Sequence, residues 1–313
     1  MANFMESFLQ EMMILYGIAI LGFLTRKKEI LNKHATTVLT QLILYITLPS
    51  LILFSLNLTF SFSMIKQFIW LISMSFIAMI LAMLLSAWMR KQAKLPEQQK
   101  KVYESLILFG NQGFIGYAVI YALFHEQGII YLTIFNIFYL ILIWTYGIYL
   151  FTKDAKKIDW NKIFLNPGIL STILGLFLLF SPLHLPEKLA TNIESIGKMT
   201  IPLSMLVIGC LIADAQSNNL FSMLKNQYIW KSAIAKLIII PLLLLPFYFT
   251  APPFPLLATA VIVSGMPSAS TISLYAQKYG ADSHFASIGI LVTTLLSVLT
   301  VPLLYIIMVA LYK

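Results

Sequence analysis

Long apolar runs recur along nearly the whole chain of 313 residues, and they constrain its fold more than any other feature. A helix that crosses a bilayer needs about 20 mostly apolar residues. The chain is 59% hydrophobic and 11% charged, whereas soluble domains contain roughly 25% charged residues. These observations predict an all-α polytopic membrane protein without a separate soluble domain. They exclude a conventional soluble enzyme.

Apolar runs bounded by charged or turn residues predict ten membrane-spanning helices. The sixth and seventh are short and could be divided differently. The predicted spans are 9–25, 38–56, 65–89, 105–124, 128–151, 166–182, 198–213, 229–250, 256–277 and 285–311.

Lysine and arginine are distributed unevenly among the loops between these spans. If the amino terminus lies outside the cell, 16 of the 21 Lys and Arg residues fall in inner loops and 4 on the outer side, with Lys236 inside a span. Short cytoplasmic loops are enriched in these residues. We therefore expect a multi-pass protein of the cell membrane with both termini extracellular. The net charge of +9 is then a topology signal and indicates no nucleic-acid partner.

The sequence contains an internal repeat. The segment Phe62–Trp70 reappears as Phe221–Trp230 with one inserted residue, and Thr47-Leu-Pro49 has a counterpart in Thr200-Ile-Pro202. Chance similarity between two Leu/Ile-rich segments is the alternative, but it would not align proline and tryptophan together.

The repeat predicts a first five-helix repeat at residues 1–156 and a second at residues 157–313. Because five is an odd number, the second repeat must cross the membrane in the opposite sense. Inverted repeats are typical of secondary transporters, whose substrate site lies near the bilayer midplane where helices are interrupted.

Two predicted spans carry interruptions at corresponding places in the two halves. Span four has three glycines and two side-chain amides within seven residues, and span nine has a proline followed by hydroxyl residues. Glycine weakens a helix by about 1 kcal/mol relative to alanine, and proline removes a backbone donor. Close packing of small residues is the alternative reading of the glycine spacing. The candidate binding residues are Gly110, Asn111, Gln112 and Gly113 in span four, and Pro267, Ser268, Ser270 and Thr271 in span nine.

Spans two and seven also contain prolines, Pro49 and Pro202. Proline kinks are frequent in membrane helices, so we interpret both residues as hinges or as determinants of scaffold shape. The neighbouring Ser50 and Ser204 are secondary candidates for substrate contact.

Lys236 is the ionisable residue that lies well inside a predicted span, and no Asp or Glu lies at mid-span. Intramembrane ionisable residues mark functional sites by default. The ammonium could belong to the binding site, or its stem could carry it to the inner surface, and both readings stay open. HExxH, GxSxG and P-loop motifs are absent from the sequence, and the single cysteine excludes a Cys-based metal site. We therefore expect neither an enzyme nor a bound metal or cofactor.

Several passages together resemble the auxin efflux carrier family, which includes plant auxin exporters and bacterial malonate and malate permeases. The likeness extends over the full length and is specific in combination. The passages are Leu48-Pro49-Ser50, Gly110–Gly116, Asn166-Pro167, Pro202–Gly209, Met266–Thr271 and Ala276–Gly280.

The resemblance implies a crossover fold, in which broken helices four and nine cross each other. Helices 1, 2, 6 and 7 would form a scaffold that makes a homodimer, and helices 3–5 and 8–10 a transport domain that moves as an elevator. It also implies an organic-anion substrate bound at the span-four asparagine, here Asn111. Plant auxin exporters have proline before that asparagine, where this chain has Gly110, and the loop between the halves is reduced to about residues 152–165.

We therefore expect a secondary carrier of small organic anions such as malate or malonate, embedded in the lipid bilayer. An exporter of auxin-like aromatic carboxylates is the alternative within the family. An ion channel would have a continuous polar pore, and a cation-coupled antiporter on a related fold would have mid-span carboxylates. Because the sequence has no mid-span carboxylate, we expect transport independent of sodium. Lys236 would be a fixed cation near the interruptions of spans four and nine.

The charge distribution makes a prediction about topology. A cysteine introduced by Glu97→Cys should not react with an impermeant thiol reagent in intact cells, because the loop around residue 97 is expected inside. Permeabilised cells provide the positive control. Ready labelling from outside would contradict the assignment.

Overall fold

The structure is a computed structural model, which describes residues 2–57, 62–152, 167–215 and 225–312. Regular structure in these ranges is helical, apart from an isolated antiparallel bridge between Gly110 and Ser268. Parts of two sequence patterns lie outside the described residues, namely Asn166 and residues 221–224. The predicted boundary between the halves, at residues 156 and 157, also lies outside them.

The first half of the chain is a series of helices joined by short turns and two π-helical turns. The π-helical turns Ile43–Thr47 and Gln112–Gly116 lead directly into the helices that follow them. The helices are α1 (Ala2–Lys27), α2 (Lys33–Leu42), α3 (Leu48–Leu56), α4 (Phe62–Gln92), α5 (Glu97–Leu108), α6 (Tyr117–Trp144) and α7 (Tyr146–Phe151).

The second half continues in the same way, with a third π-helical turn at Ala235–Ile239 and a 3₁₀ helix at Leu245–Thr250. Its helices are α8 (Pro167–Phe180), α9 (Glu187–Lys198), α10 (Thr200–Ala215), α11 (Gln227–Ile234), α12 (Ile240–Leu242), α13 (Phe254–Ser264), α14 (Thr271–Lys278) and α15 (Ser283–Leu311).

Six helical stretches within the described ranges are long and apolar enough to cross a membrane. Two shorter apolar helices, Pro167–Phe180 and Phe254–Ser264, overlap predicted spans six and nine. The expectation of an all-helical polytopic membrane protein is confirmed at this level, while the ten-helix inverted repeat stays a prediction. The six stretches are Lys33–Leu56, Met64–Gln92, Gln112–Phe151, Glu187–Asp214, Gln227–Thr250 and Ser283–Leu311.

Predicted span four is interrupted in the structure, and a kink separates it from predicted span five. Helix α5 ends at Leu108, early in the predicted fourth span, and a helical run from Gln112 to Phe151 contains the remainder. Within that run His125 has φ 50° and ψ −137°, which is not a helical conformation. The run is therefore two helices joined by a kink, at the place where the sequence predicted the loop between residues 124 and 128.

Several proline residues lie at the beginnings of helices, whereas Pro302 lies inside α15. Pro49 follows the π-helical turn Ile43–Thr47, and Pro241 follows the turn Ala235–Ile239. A proline cannot donate an N–H to the preceding turn, and a π-helical turn is one way in which a helix adjusts to this loss. Pro202 is the third residue of α10. First-turn N–H groups have no intrahelical partner, so Pro202 is compatible with an unbroken α10.

The chain divides into two compact units. Unit 1 consists of residues 1–66, 113–133 and 160–217. Its main helix pair is α1 with α10, and α3 packs on both α8 and α9. Small residues bring α1 and α10 into backbone contact, because a Cβ at Gly22 would meet the Leu206 carbonyl and one at Gly209 would meet the Ala19 carbonyl.

The α1–α10 pair is also held by polar contacts. The Cys210 thiol lies 3.3 Å from the Gly22 carbonyl, and an Arg26 guanidinium nitrogen lies 2.7 Å from a carboxylate oxygen of Asp214. Close backbone approach at glycine is a common way for membrane helices to associate, since lipid provides no hydrophobic driving force between them.

Unit 2 consists of residues 67–112, 134–159 and 218–313. Helix α15 packs against α5, α11, α13 and α14, and α5 also contacts α11, α14 and α7. A Cβ at Gly289 of α15 would collide with the Leu106 side chain. The carboxyl end of α5 is therefore held on several sides inside this unit.

The α1–α10 contact makes a prediction about stability. Gly209→Ala should lower the thermal stability of the purified protein by about 1–3 kcal/mol, because the new methyl group overpacks a backbone contact. Gly17→Ala is the matched control on α1, where a Cβ meets no described atom within 4 Å. The control should be neutral or slightly stabilising, since alanine favours helix. Equal thermal stability of the two variants would contradict the packing argument.

Candidate functional site

Two non-helical segments lie side by side inside unit 2 and pair with each other. We call this pair, residues 109–111 and 267–269, the crossing. Its backbone is joined as in a very short antiparallel sheet around Gly110 and Ser268. The paired atoms are the Asn111 N–H with the Pro267 carbonyl at 2.6 Å, and the Ala269 N–H with the Phe109 carbonyl at 3.0 Å.

The sequence explains why both helices stop where they do. Helix α5 ends at Leu108, and Phe109 is extended, with φ −98° and ψ 119°. Helix α13 ends at Ser264, three residues before Pro267. Proline has no N–H to donate and biases the preceding residue away from helix. Broken backbone is tolerated at membrane depth only where other groups satisfy it, and the crossing provides those partners.

A side chain at position 110 would have little room beside Lys236. A Cβ there would lie 3.1 Å from both Cε and Nζ of Lys236 and 3.4 Å from the Met266 carbonyl oxygen. The two separations to Lys236 are shorter than ordinary van der Waals contact, and the one to Met266 is at its lower limit. Gly113 is different, because a Cβ added there meets no described atom within 4 Å. Close packing therefore explains Gly110 but not Gly113.

Two side chains from other elements bind the carbonyl end of α5 and the residues after it. The Ser268 hydroxyl donates to the Leu106 carbonyl at 2.7 Å, and the Tyr139 hydroxyl of α6 donates to the Gly110 carbonyl at 2.6 Å. The Ser268 N–H in turn donates to the Thr293 hydroxyl of α15 at 3.1 Å. Ser268, a predicted site residue, thus has a structural contact here.

Lys236 lies on the π-helical turn Ala235–Ile239 and is 1% exposed. Its Nζ is 3.5 Å from the Leu108 carbonyl oxygen, the last carbonyl of α5. The structure therefore places the ammonium at the crossing and not at an aqueous surface. Of the two readings left open by the sequence, this geometry favours a role in the site over snorkelling.

The two amide residues predicted as ligands are both buried. Asn111 is 5% exposed, and its backbone N–H is used in the crossing. Gln112 is 1% exposed, and within the described parts of the chain neither its Oε1 nor its Nε2 has a hydrogen-bond partner. An unpaired buried amide costs free energy, so Gln112 is the clearest sign of a ligand site.

Two helical elements begin just after the crossing. The run that starts at Gln112 leads into α6, and α14 starts at Thr271, with Ser270 as its N-cap residue. Ser270 and Thr271 are both partly exposed. The amino-terminal ends of helices carry a partial positive charge of about half a unit and unpaired N–H groups. An anion would be favoured at these ends.

Asn136 of α6 is a residue that the sequence analysis missed. It is 3% exposed, and its Oδ1 has no hydrogen-bond partner in the described ranges. It precedes Tyr139 by three residues, so the two share a helix face, and Tyr139 contacts Gly110. The signal was available, since Asn136 is an amide in an otherwise apolar stretch.

The secondary candidates Ser50 and Ser204 are in unit 1, and both hydroxyls bond their own helices. Ser50 donates to the Ile46 carbonyl at 2.8 Å, and Ser204 donates to the Thr200 carbonyl at 2.6 Å. Such bonds to the carbonyl four residues earlier are ordinary for serine in membrane helices. Nothing in these contacts indicates a ligand.

Glu104 of α5 is a second buried charged residue in unit 2. It is 1% exposed, and its carboxylate lies 2.8 Å from an Arg90 guanidinium nitrogen and accepts from the Tyr146 hydroxyl at 2.6 Å. Its charge is therefore compensated. No group of three or more His, Cys, Asp or Glu residues comes together in the described residues.

Comparisons with known proteins agree on the family. An uncharacterized transporter of Methanocaldococcus jannaschii is 23% identical over 301 residues, which are 93% of this chain and 96% of that protein. A proposed malonate transporter of Rhizobium meliloti is 31% identical over 150 residues, 47% of this chain and 45% of that protein. The membrane transport protein family matches residues 7–162 and again 155–305. The chain therefore belongs to this family of membrane transporters, the auxin efflux carrier family.

Proposed function

We propose that the protein is a secondary carrier of small organic anions, such as malate or malonate, and that the crossing binds the substrate carboxylate. The observation that carries this proposal is the buried Gln112 amide, which has no hydrogen-bond partner among the described residues and lies at the start of a helical run next to Asn111. A carboxylate could accept hydrogen bonds from both amides. Ser270, Thr271 and the backbone around Gly110, Gly113 and Pro267 complete the proposed site.

Charge supports an anionic substrate. Among the described residues, the buried charged side chains are Glu104 and Lys236. Glu104 is paired with Arg90, whereas the hydrogen bond recorded for Lys236 goes to a carbonyl. Together with the two helix amino-terminal ends, this leaves an excess of positive charge near the crossing. A cation would be disfavoured there.

Two observations favour a small aliphatic acid over an auxin-like aromatic acid. The relative from Rhizobium meliloti is named for malonate and matches about half of this chain. This chain also has Gly110, with Lys236 packed against it, in the place where the plant exporters have proline. These two observations support a small aliphatic acid as the proposed substrate.

The mode of transport is part of the same proposal. The described units separate residues 1–66 and 160–217 from residues 67–112, 134–159 and 218–313. This division supports a scaffold of helices 1, 2, 6 and 7 and a transport domain that moves as an elevator. Residues 113–133 fall in unit 1, whereas the resemblance would assign them to the transport domain. We also propose a homodimer through the scaffold, in the cell membrane, with both termini outside.

Uptake into proteoliposomes tests the proposed substrate. A panel of labelled malonate, malate, succinate, lactate and an indole carboxylate should show saturable uptake of the small acids, with the aromatic acid taken up less. Protein-free liposomes are the control. Preference for the aromatic acid would favour the auxin-like alternative, and currents too large for carrier turnover would favour a channel.

Asn111→Ala should weaken binding of the transported acid by about 1.5–3 kcal/mol, the range for a hydrogen bond to a charged group. Asn192→Ala, on the exposed face of α9, is the matched control and should bind normally. Affinity is measured by competition against labelled substrate on purified protein. A folded Asn111→Ala variant with unchanged affinity would remove Asn111 from the site.

Gln112→Leu should have two opposite effects. It removes a buried polar group that has no partner among the described residues, so the substrate-free protein should gain roughly 1 kcal/mol or more of stability. The same change should reduce binding and uptake, because a carboxylate loses an amide donor. Thermal unfolding without substrate and uptake with substrate measure the two effects. A less stable variant with normal uptake would show that Gln112 has a structural role.

A further inference from the structure

The buried ammonium of Lys236 lies at the carbonyl end of α5, where the chain leaves the helix and enters the crossing. We infer that Lys236 is a positioning residue, a cation built into the fold that neutralises this helix end and fixes the geometry of residues 109–111. The inference concerns the same site and rests on the proposed function, since those residues are proposed to hold the substrate.

Four carbonyl groups around the end of α5 receive a donor, those of Leu106, Leu108, Phe109 and Gly110. The Leu106, Phe109 and Gly110 carbonyls accept from neutral hydroxyl or amide groups, as described above. The Leu108 carbonyl accepts from a charged one. A helix carboxyl end carries a partial negative charge of about half a unit. In a buried setting a cation at this end has far more effect than at an exposed one, because water does not screen it.

The surrounding structure accommodates the Lys236 side chain closely. Its side chain is 1% exposed, and its Nζ and Cε lie 3.1 Å from the position that a Cβ of Gly110 would take. Burying an ammonium is expensive unless it is compensated, and the partner recorded for it is a carbonyl at 3.5 Å. Gly110 and Lys236 therefore form a matched pair, in which the glycine makes room for the cation.

The charge is the property to test, and a small ion can replace it. Lys236→Ala removes three methylene groups and the ammonium, which are the atoms of n-propylammonium. In a choline medium this variant should transport roughly tenfold or more slowly than the wild type. Added n-propylammonium should restore part of the rate, and n-propanol, which fills the same volume without charge, should not. Sodium should also stimulate the variant while leaving the wild type unchanged.

Three variants provide controls. Lys231→Ala removes an exposed lysine from the neighbouring helix α11 and should behave like the wild type in every medium. Lys236→Gln keeps most of the length without the charge and should lose transport while remaining expressed. Lys236→Arg keeps the charge and should be partly active.

The matched pair predicts coupling between Gly110 and Lys236. Gly110→Ala should slow transport in the wild-type background, because its methyl group displaces the ammonium. In the Lys236→Ala background the same change should cost little more, since the space is then empty. Additive losses of the two single changes would contradict the pairing.

A stability measurement separates this inference from the proposed substrate. Without any substrate, n-propylammonium should raise the thermal stability of Lys236→Ala, and neither n-propanol nor choline should do so to the same extent. This result would support the inference even if the transported acid proved to be different. Wild-type transport by Lys236→Ala, equal effects of n-propanol, or no effect of any cation would each overturn it.

Discussion

The pairing of two broken helices across residues 109–111 and 267–269 is the interaction on which the rest of unit 2 depends. A backbone that leaves the helix at membrane depth has to find new hydrogen-bond partners, because the hydrocarbon offers none. Here each break supplies part of what the other lacks, and Tyr139, Ser268 and Lys236 supply the remainder. Neither helix break would be tolerable alone. Helices α15 and α11 pack against α5 and hold its carboxyl end near these donors.

The sequence predicted the location of these breaks because glycine, proline and paired amides act on the local backbone. Gly110 and Pro267 disfavour continuous helix wherever the rest of the chain lies. The kink at His125 was predicted in the same local way, as a loop between two apolar runs. The α1–α10 contact at Gly209 was not predicted, because small residues that bring helices together have to be matched with a partner helix.

Contacts between residues that are far apart in the sequence could not be predicted from it. The pattern placed Lys236 inside a span, but its direction depends on the π-helical turn at Ala235–Ile239 and on the absence of a Cβ at Gly110. The contacts of the Glu104 carboxylate with Arg90 and Tyr146 likewise depend on the fold. Ser50 and Ser204 are candidates for substrate contact because each lies next to or near a proline in the sequence. In the structure their hydroxyls bond their own helices.

The distribution of buried charge connects this architecture to transport. One buried acid is neutralised by Arg90, and one buried base faces a carbonyl beside an amide that has no partner among the described residues. A stable fold would normally pair or remove such groups, since each costs free energy when it is buried. Both costs fall at the same few residues, where the backbone is already broken. Under the proposed function these costs are recovered when a carboxylate binds, because the ligand supplies acceptors that the described residues do not provide. The crossing is therefore better matched to an anion that comes and goes than to a permanently closed core.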